Sequence, residues 1–330
     1  MNDREGGMGA QGASLLDEPA LPSPPARPIA IAVPNVSEGR DPDTIARLAE
    51  AARAPGVRVL DTHADPDHNR MVLTVAGDPI ALQDAMLGLT AAAVDLVDLR
   101  RHRGAHPRIG ALDLVPIVAL TPEDMPVASE TARGLAERIG AELHLPVFLY
   151  GAVATDPART RPHDFRSAGL EALGAELDAG RLVPDAGPPR LHPTAGAVMV
   201  GAREPLIAWN VWLPDGTLEE ARTIAARVRE SGGGPPGLRA LGLWLPEAAS
   251  AQVSMNLEDL RTPPWLATDL VRREAERLGV EAGDSELVGL IPRAALAGPS
   301  PGALRLRGFR PGQVLEAQLP ALRKRPPAGG

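Results

Sequence analysis

Apolar positions along the chain recur with two periods, near two and near 3.6 residues, and these periods set out its elements. Ile29 to Pro34 (IAIAVP) is a short apolar run suited to a strand. Asp41-Pro42 follows, an N-cap residue with proline at the first helical position. Ile45, Leu48, Ala49 and Ala52 then recur at helical spacing. Val57 to Leu60 reads as a second strand. From Arg70 to Val75 the chain puts Met71, Leu73 and Val75 on one face, as a half-buried strand does. Asp78-Pro79 opens a helix to about Asp98, and Leu112 to Leu120 is a strand. Thr121-Pro122 opens a helix that stops near Gly140, and Pro146 to Gly151 is another strand.

The second half repeats this order. Leu206 to Leu213 is a strand, and Thr217 to Glu220 has capping-box spacing and opens a helix. Leu238 to Leu245 and Ala251 to Leu257 read as strands. Thr262-Pro263 starts a helix ending at Gly279, and Leu287 to Pro292 is a last strand. Each half is thus βαββαβ. The expected fold class is α/β of the α+β kind: two ferredoxin-like subdomains related by duplication, each a sheet with helices on one face. Residues 1–27, rich in Gly, Pro and Ala, are expected to be a disordered leader. The subdomains are expected at 28–185 and 186–298, followed by a loosely packed Pro/Gly/Arg-rich tail at 299–330.

Composition narrows the function. A chain of 330 residues, 44% hydrophobic and 23% charged, has material for about two compact units. It has no cysteine, which excludes disulfides and cysteine nucleophiles. No apolar run reaches the roughly 18 residues of a membrane span, and the N-terminus lacks a signal-peptide layout. A cytoplasmic protein that does not bind membranes is expected. A net charge of −8 argues against nucleic acid. Against that acidic background, Asp98 to Arg108 (DLRRHRGAHPR) concentrates Arg100, Arg101, Arg103 and Arg108 with His102 and His106. Such a loop suits a small anion, or is simply a solvated basic face.

Two common catalytic signatures are missing: there is no Walker A or HExxH. Gly232 to Gly234 is a helix-to-strand connection. Asp65 to His68 (DPDH) reads as turn chemistry, and no metal is expected there. The informative segment is Arg103 to Asp113, RGAHPRIGALD. Gly104 and Gly110 permit tight backbone, and Pro107 pins the residue beside His106. Nearby guanidinium groups disfavour an imidazolium and lower its pKa, which suits a general base. The alternative is a surface histidine in a structured turn.

Several motifs, in order, carry a resemblance. They are VPNVSEGRD (Val33–Asp41), DPDHNR (Asp65–Arg70), RGAHPRIGALD (Arg103–Asp113) and PVFLYG (Pro146–Gly151). GPPRLHPTAGAVMVGAREPLIAWNV (Gly187–Val211), QVSMNL (Gln252–Leu257) and SELVGLIP (Ser285–Pro292) follow. Over about Ile29 to Leu296 the chain resembles the formiminotransferase domain of formiminotransferase-cyclodeaminase and its stand-alone bacterial relatives. The resemblance implies transfer of a formimino group between tetrahydrofolate N5 and the amine of glutamate, with tetrahydrofolate as co-substrate. It further implies folate in a groove between two α/β subdomains, and a homodimer. The family's catalytic histidine falls on His106. Its folate-contacting segment falls on Gly187, Pro188, Pro189, Arg190, Leu191, His192, Pro193, Thr194, Ala195 and Gly196.

His102, outside the matched core, is the weaker rival to His106. His63 stands where some members carry an acid, and Asp61 is the nearest carboxylate that could serve instead. Arg70, Arg108 and Arg203 are candidates to pair with substrate carboxylates, though Arg203 could equally be structural. Asn69 either orients a substrate carbonyl or caps a turn. The cyclodeaminase domain is absent, so ring closure is expected to fall to a separate protein. Chemically, the glutamate amine must lose a proton to attack the amidine carbon, and N5 leaves better if protonated; one imidazole can do both. Formyl transfer from 5-formyltetrahydrofolate remains an alternative, as does a folate-binding protein without chemistry. An intact HPRIGALD argues against the latter.

Overall fold

A computed structural model describes residues 29–296, 298–299 and 302–318. The expected leader and the end of the expected tail lie outside the described residues. The first sheet begins with one interrupted strand, β1 (Ala30–Ala32) and β2 (Asn35–Val36). The break falls at Pro34, which has no N–H to donate. Asp41 accepts the N–H of Asp43 and opens α1 (Pro42–Ala51). The strands β3 (Val57–Asp65) and β4 (Arg70–Gly77) form a hairpin. Asp78 then accepts the N–H of Ile80 and opens α2 (Pro79–Leu96). β5 (Leu112–Val118), α3 (Met125–Glu142) and β6 (Val147–Gly151) follow. Three elements absent from the sequence reading come next: α4 (Pro162–Arg166), α5 (Gly169–Asp178) and β7 (Val198–Arg203).

The first sheet runs β3, β4, β1/β2, β5, β7, β6. Its first pairings are antiparallel, and β5–β7 and β7–β6 are parallel. It therefore contains the βαββαβ order and two further strands. β7 lies beyond residue 185 in the chain, yet it completes this sheet. Met71, Leu73 and Val75 pack against Leu82, Met86 and Leu89 of α2 and against Leu135 and Ile139 of α3. α2 is long and apolar enough to cross a membrane by length and composition, and here it lies in this core. On the opposite face, α4 and α5 cover β5, β7 and β6. A second cluster forms there from Phe148, Tyr150, Phe165, Leu173, Leu177 and Met199.

The second unit holds β8 (Ile207–Leu213), α6 (Leu218–Val228), β9 (Leu238–Leu245), β10 (Ser250–Leu257), α7 (Pro264–Leu278) and β11 (Ser285–Val288). α6 has the expected capping box between Thr217 and Glu220. The sheet order β11, β8, β10, β9 is the fourth, first, third and second strand of a split βαβ motif. Trp209, Val211, Val253 and Met255 pack against Ile224 and Val271 of the helices. β12 (Leu306–Arg307), inside the expected loose tail, pairs in parallel with β11. Leu304 and Val314 are buried, so this stretch is built into the second unit.

The helix-free face of β3–β4 meets the second unit. His63 Nε2 lies 4.0 Å from Glu286 of β11, and Asp61 lies 3.3 Å from Arg310. The carboxylate of Asp67, at the β3–β4 tip, accepts the N–H groups of Glu247 and Ala248 at the β9–β10 tip.

Candidate active site

Two segments build the site, the β3–β4 hairpin and the loop between α2 and β5. At the hairpin, Asp65 Oδ1 accepts the backbone N–H of His68 at 2.7 Å. Asn69 takes a left-handed φ of 46°. Both ends of its amide are engaged: Oδ1 accepts the N–H of Gly39 at 3.0 Å, and Nδ2 donates to the carbonyl of Arg103 at 2.9 Å. The loop lies directly on the hairpin. A Cβ on Gly104 would sit 2.2 Å from the carbonyl oxygen of His68, so only glycine fits there. Gly110 is similarly confined, 2.0 Å from the carbonyl of Ala197. The acids of the DPDH segment thus cap a turn and join the two units.

The two histidines of the loop have different surroundings. His102 is buried, and its Nδ1 accepts a hydrogen bond from the Arg108 guanidinium. Nε2 therefore carries the proton and donates to the carbonyl of Asn69 at 2.9 Å. Burial, then the Arg108 charge, holds its pKa down at about 4. His102 is a neutral strut. Nη2 of Arg108 donates to the carbonyls of Gly104 at 2.8 Å and His106 at 3.0 Å. Its guanidinium clamps the loop.

His106 is half-buried and faces the cavity lined by Asn35, Ser37, His68, Asn69, Arg70, Arg108 and Asp113. Its Nδ1 lies 2.8 Å from the carbonyl oxygen of Pro107. A carbonyl only accepts, so Nδ1 holds the proton and Nε2 keeps its lone pair. Burial pushes the pKa well below the usual histidine range, and the charges of Arg70 and Arg166 push it further. At neutral pH this is an unprotonated base with its lone pair free.

Two guanidinium groups flank it. Arg70, on β4, donates to Asn35 Oδ1, and its buried Nε has no partner among the described residues. Burial lowers its pKa to about 10, with Arg166 adding to the effect. Arg166, at the end of α4, pairs with Asp113, and its Nε is likewise buried and unpartnered. Arg70, which lines the cavity, retains an N–H for a ligand carboxylate or carbonyl, while Arg166 acts on His106 through its charge. Nearby, Tyr150 has its hydroxyl pKa pushed up to about 12 by burial, beside the guanidinium of Arg203. Arg203 also donates to the carbonyl of Glu204 at 2.8 Å.

The structure thus brings together His106, Arg70 and Asn69 from the sequence reading. It turns Arg108 into the loop. Gly187 to Gly196 does not line the His106 cavity. Leu191 packs on Gly174 of α5, and the Ala195 carbonyl accepts the N–H of Ala111. Gly196 bridges to Gly110. Its part from His192 to Gly196 lines a neighbouring open depression of about 490 Å³ with Leu99, Arg100, Arg103 and the start of α5. Asp61 faces Arg310, its Oδ2 is buried without a partner among the described residues, and burial raises its pKa. Arg166 lies outside the sequence reading because α4 is only five residues long, and the signal the sequence offers for it is the proline at its first helical position. His68 and Asp113 sat inside matched motifs without an assigned role.

Residues 29–203 match the N-terminal subdomain of the formiminotransferase domain, and residues 208–300 match the formiminotransferase domain. The chain is 39% identical over 291 residues to a Thermoplasma acidophilum protein named glutamate formimidoyltransferase. That match covers 87% of this chain and 96% of the other. It is 37% identical over 290 residues to the Streptococcus pyogenes protein of the same name, covering 87% and 97%. A rat formimidoyltransferase-cyclodeaminase is 38% identical over 272 residues, which is 80% of this chain and 50% of the rat protein.

Proposed function

The chain belongs to the formiminotransferase family, and from that premise we propose that it is a glutamate formimidoyltransferase. It moves the formimino group between N-formimino-L-glutamate and tetrahydrofolate, giving 5-formiminotetrahydrofolate and L-glutamate. One observation carries the reading: His106 has Nδ1 tied to the Pro107 carbonyl and lines a cavity with Arg70, under the charges of Arg70 and Arg166. N5 of the folate attacks the amidine carbon, and His106 Nε2 takes the proton that N5 must lose. The same proton returns to the glutamate nitrogen as it leaves. Such acid–base assistance contributes about 10²–10⁴-fold. Holding two substrates in register supplies much of the remainder. Arg70 offers its free N–H to a substrate carboxylate, which orients the substrate beside His106.

The proposal includes tetrahydrofolate as co-substrate and no resident metal. It also includes a homodimer, a cytoplasmic location and ring closure by a separate cyclodeaminase. Purified protein incubated with tetrahydrofolate and formiminoglutamate tests it, with free glutamate followed directly. Glutamate should appear in equal amount to 5-formiminotetrahydrofolate. No release over many enzyme equivalents would overturn the assignment.

A further inference from the structure

We propose that His68 is a second proton carrier of this reaction: it holds the proton that His106 removes until the leaving nitrogen takes it back. The inference rests on the function proposed above and adds a residue to it.

Geometry comes first. The two imidazoles line the same cavity, with ring centroids 6.2 Å apart and planes at 80°. His68 sits on the β3–β4 hairpin and is 7% exposed. Asp65 holds it twice. Oδ1 accepts its backbone N–H at 2.7 Å, and Oδ2 lies 3.5 Å from Nδ1. The carboxylate selects the tautomer with the proton on Nδ1, which leaves Nε2 as a lone-pair site. That Nε2 is buried and has no partner among the described residues. A buried nitrogen without a partner is costly unless something occupies it.

The charges around the two rings differ in sign. His106 faces the cations Arg70 and Arg166 and the ring of His68. His68 faces Asp65 and Asp67 of its own hairpin, Glu286 of β11 and Arg70 of β4. Burial lowers the pKa of both rings, but only His68 has carboxylates opposing it. A proton taken up by His106 therefore has a lower-energy resting place on His68. One water, or a substrate nitrogen, completes the path between the rings.

The step balances. The N5 lone pair forms the bond to the amidine carbon, and the C=N pair moves onto the imino nitrogen. The N5 proton goes to His106 Nε2 and on to His68 Nε2. It then returns to the glutamate nitrogen, which leaves with the C–N bonding pair as the imino nitrogen restores C=N. N5 has lost one proton, glutamate has gained one, and both imidazoles end neutral.

The test begins with wild-type glutamate release, since its absence sinks the function and not this inference. With release established, His68→Gln should lower kcat about 10–100-fold while KM stays within about threefold. The acid limb of its kcat profile should move to lower pH, because the limb then reports His106 alone. Added imidazole should restore part of the rate. Asp65→Asn should move the limb the same way with a smaller loss. A wild-type kcat and pH profile in His68→Gln overturns the proposal, as does a loss that imidazole does not relieve. Should His68→Gln fail to fold by circular dichroism, an unshifted profile in Asp65→Asn overturns it instead.

Discussion

Arg166 of α4 and Asp113 of β5 form an ion pair whose side chains are only 11% and 5% exposed. The same carboxylate accepts the backbone N–H of Ile109 at 2.6 Å and of Gly110 at 3.2 Å. One acid thus fixes a guanidinium beside His106 and the end of the loop that carries His106. The first unit's extra layer, α4 and α5, is tied to the chemistry through this pair.

Asp113→Ala should therefore be among the most damaging single changes. Breaking a buried pair by removing one partner costs about 3–5 kcal/mol, and here two loop amides also lose their acceptor. Urea unfolding should show a loss of that order, and transfer should fall below detection. Asp113→Asn keeps an amide acceptor and should retain more stability than Asp113→Ala. A loss under about 1 kcal/mol for Asp113→Ala would contradict the buried-pair account.

His106→Ala and His102→Ala should fail differently. His106 makes one local hydrogen bond, so its alanine variant should melt like the wild type. Its activity should drop about 10²–10⁴-fold. His102 joins Arg108 to the Asn69 carbonyl. Its removal leaves both without their partner, at a cost of about 1–3 kcal/mol. Thermal melting and kcat measured on both variants check this. A stable but inactive His102→Ala would transfer the proton chemistry to His102.

The depressed pKa of His106 fixes the sign of the pH dependence. A base works in its unprotonated form, so activity is lost as pH falls through its pKa. Burial and the neighbouring arginines place that pKa well below 6.5. The acid limb of kcat/KM should accordingly lie below the limb expected for an ordinary histidine. Arg166→Met removes one of those charges and should move the limb to higher pH. An unmoved limb would remove Arg166 from the electrostatics of His106.

Much of this architecture is legible in the sequence, and the exceptions have physical causes. Asp41-Pro42 and Asp78-Pro79 announce α1 and α2, because an N-cap and a first-turn proline act locally. The β3–β4 alternation is equally local. β7 is different. Val198 to Ala202 is buried at every position, since α3 packs on one side and the Phe148 cluster on the other. A strand buried on both faces has no alternation to show. α4 spans five residues, too few for a periodic pattern. Arg108 was legible as a residue near His106, but its direction was not. Proximity in sequence does not reveal that its guanidinium turns back to His102, Gly104 and the carbonyl of His106.

The junction between the two sheets gives the last prediction. Asp67 bridges them through the N–H groups of Glu247 at 2.6 Å and Ala248 at 3.3 Å. It also stands next to His68, so the same hairpin carries the contact and part of the cavity wall. Hydrogen bonds to a charged group contribute about 1.5–3 kcal/mol. Asp67→Ala should lose about that much stability, and the hairpin should sit less firmly against the second unit. Turnover should then fall by more than stability alone explains, since His68 and Arg70 follow the hairpin. Asp78→Ala supplies the comparison. Asp78 caps α2 on the far side of the first core, and losing such a cap costs about 0.5–2 kcal/mol. Assayed well below both melting temperatures, Asp78→Ala should keep near wild-type kcat while Asp67→Ala does not. Equal losses in the two variants would mean that activity follows overall stability, and that the contact between Asp67 and Glu247 has no particular hold on the site.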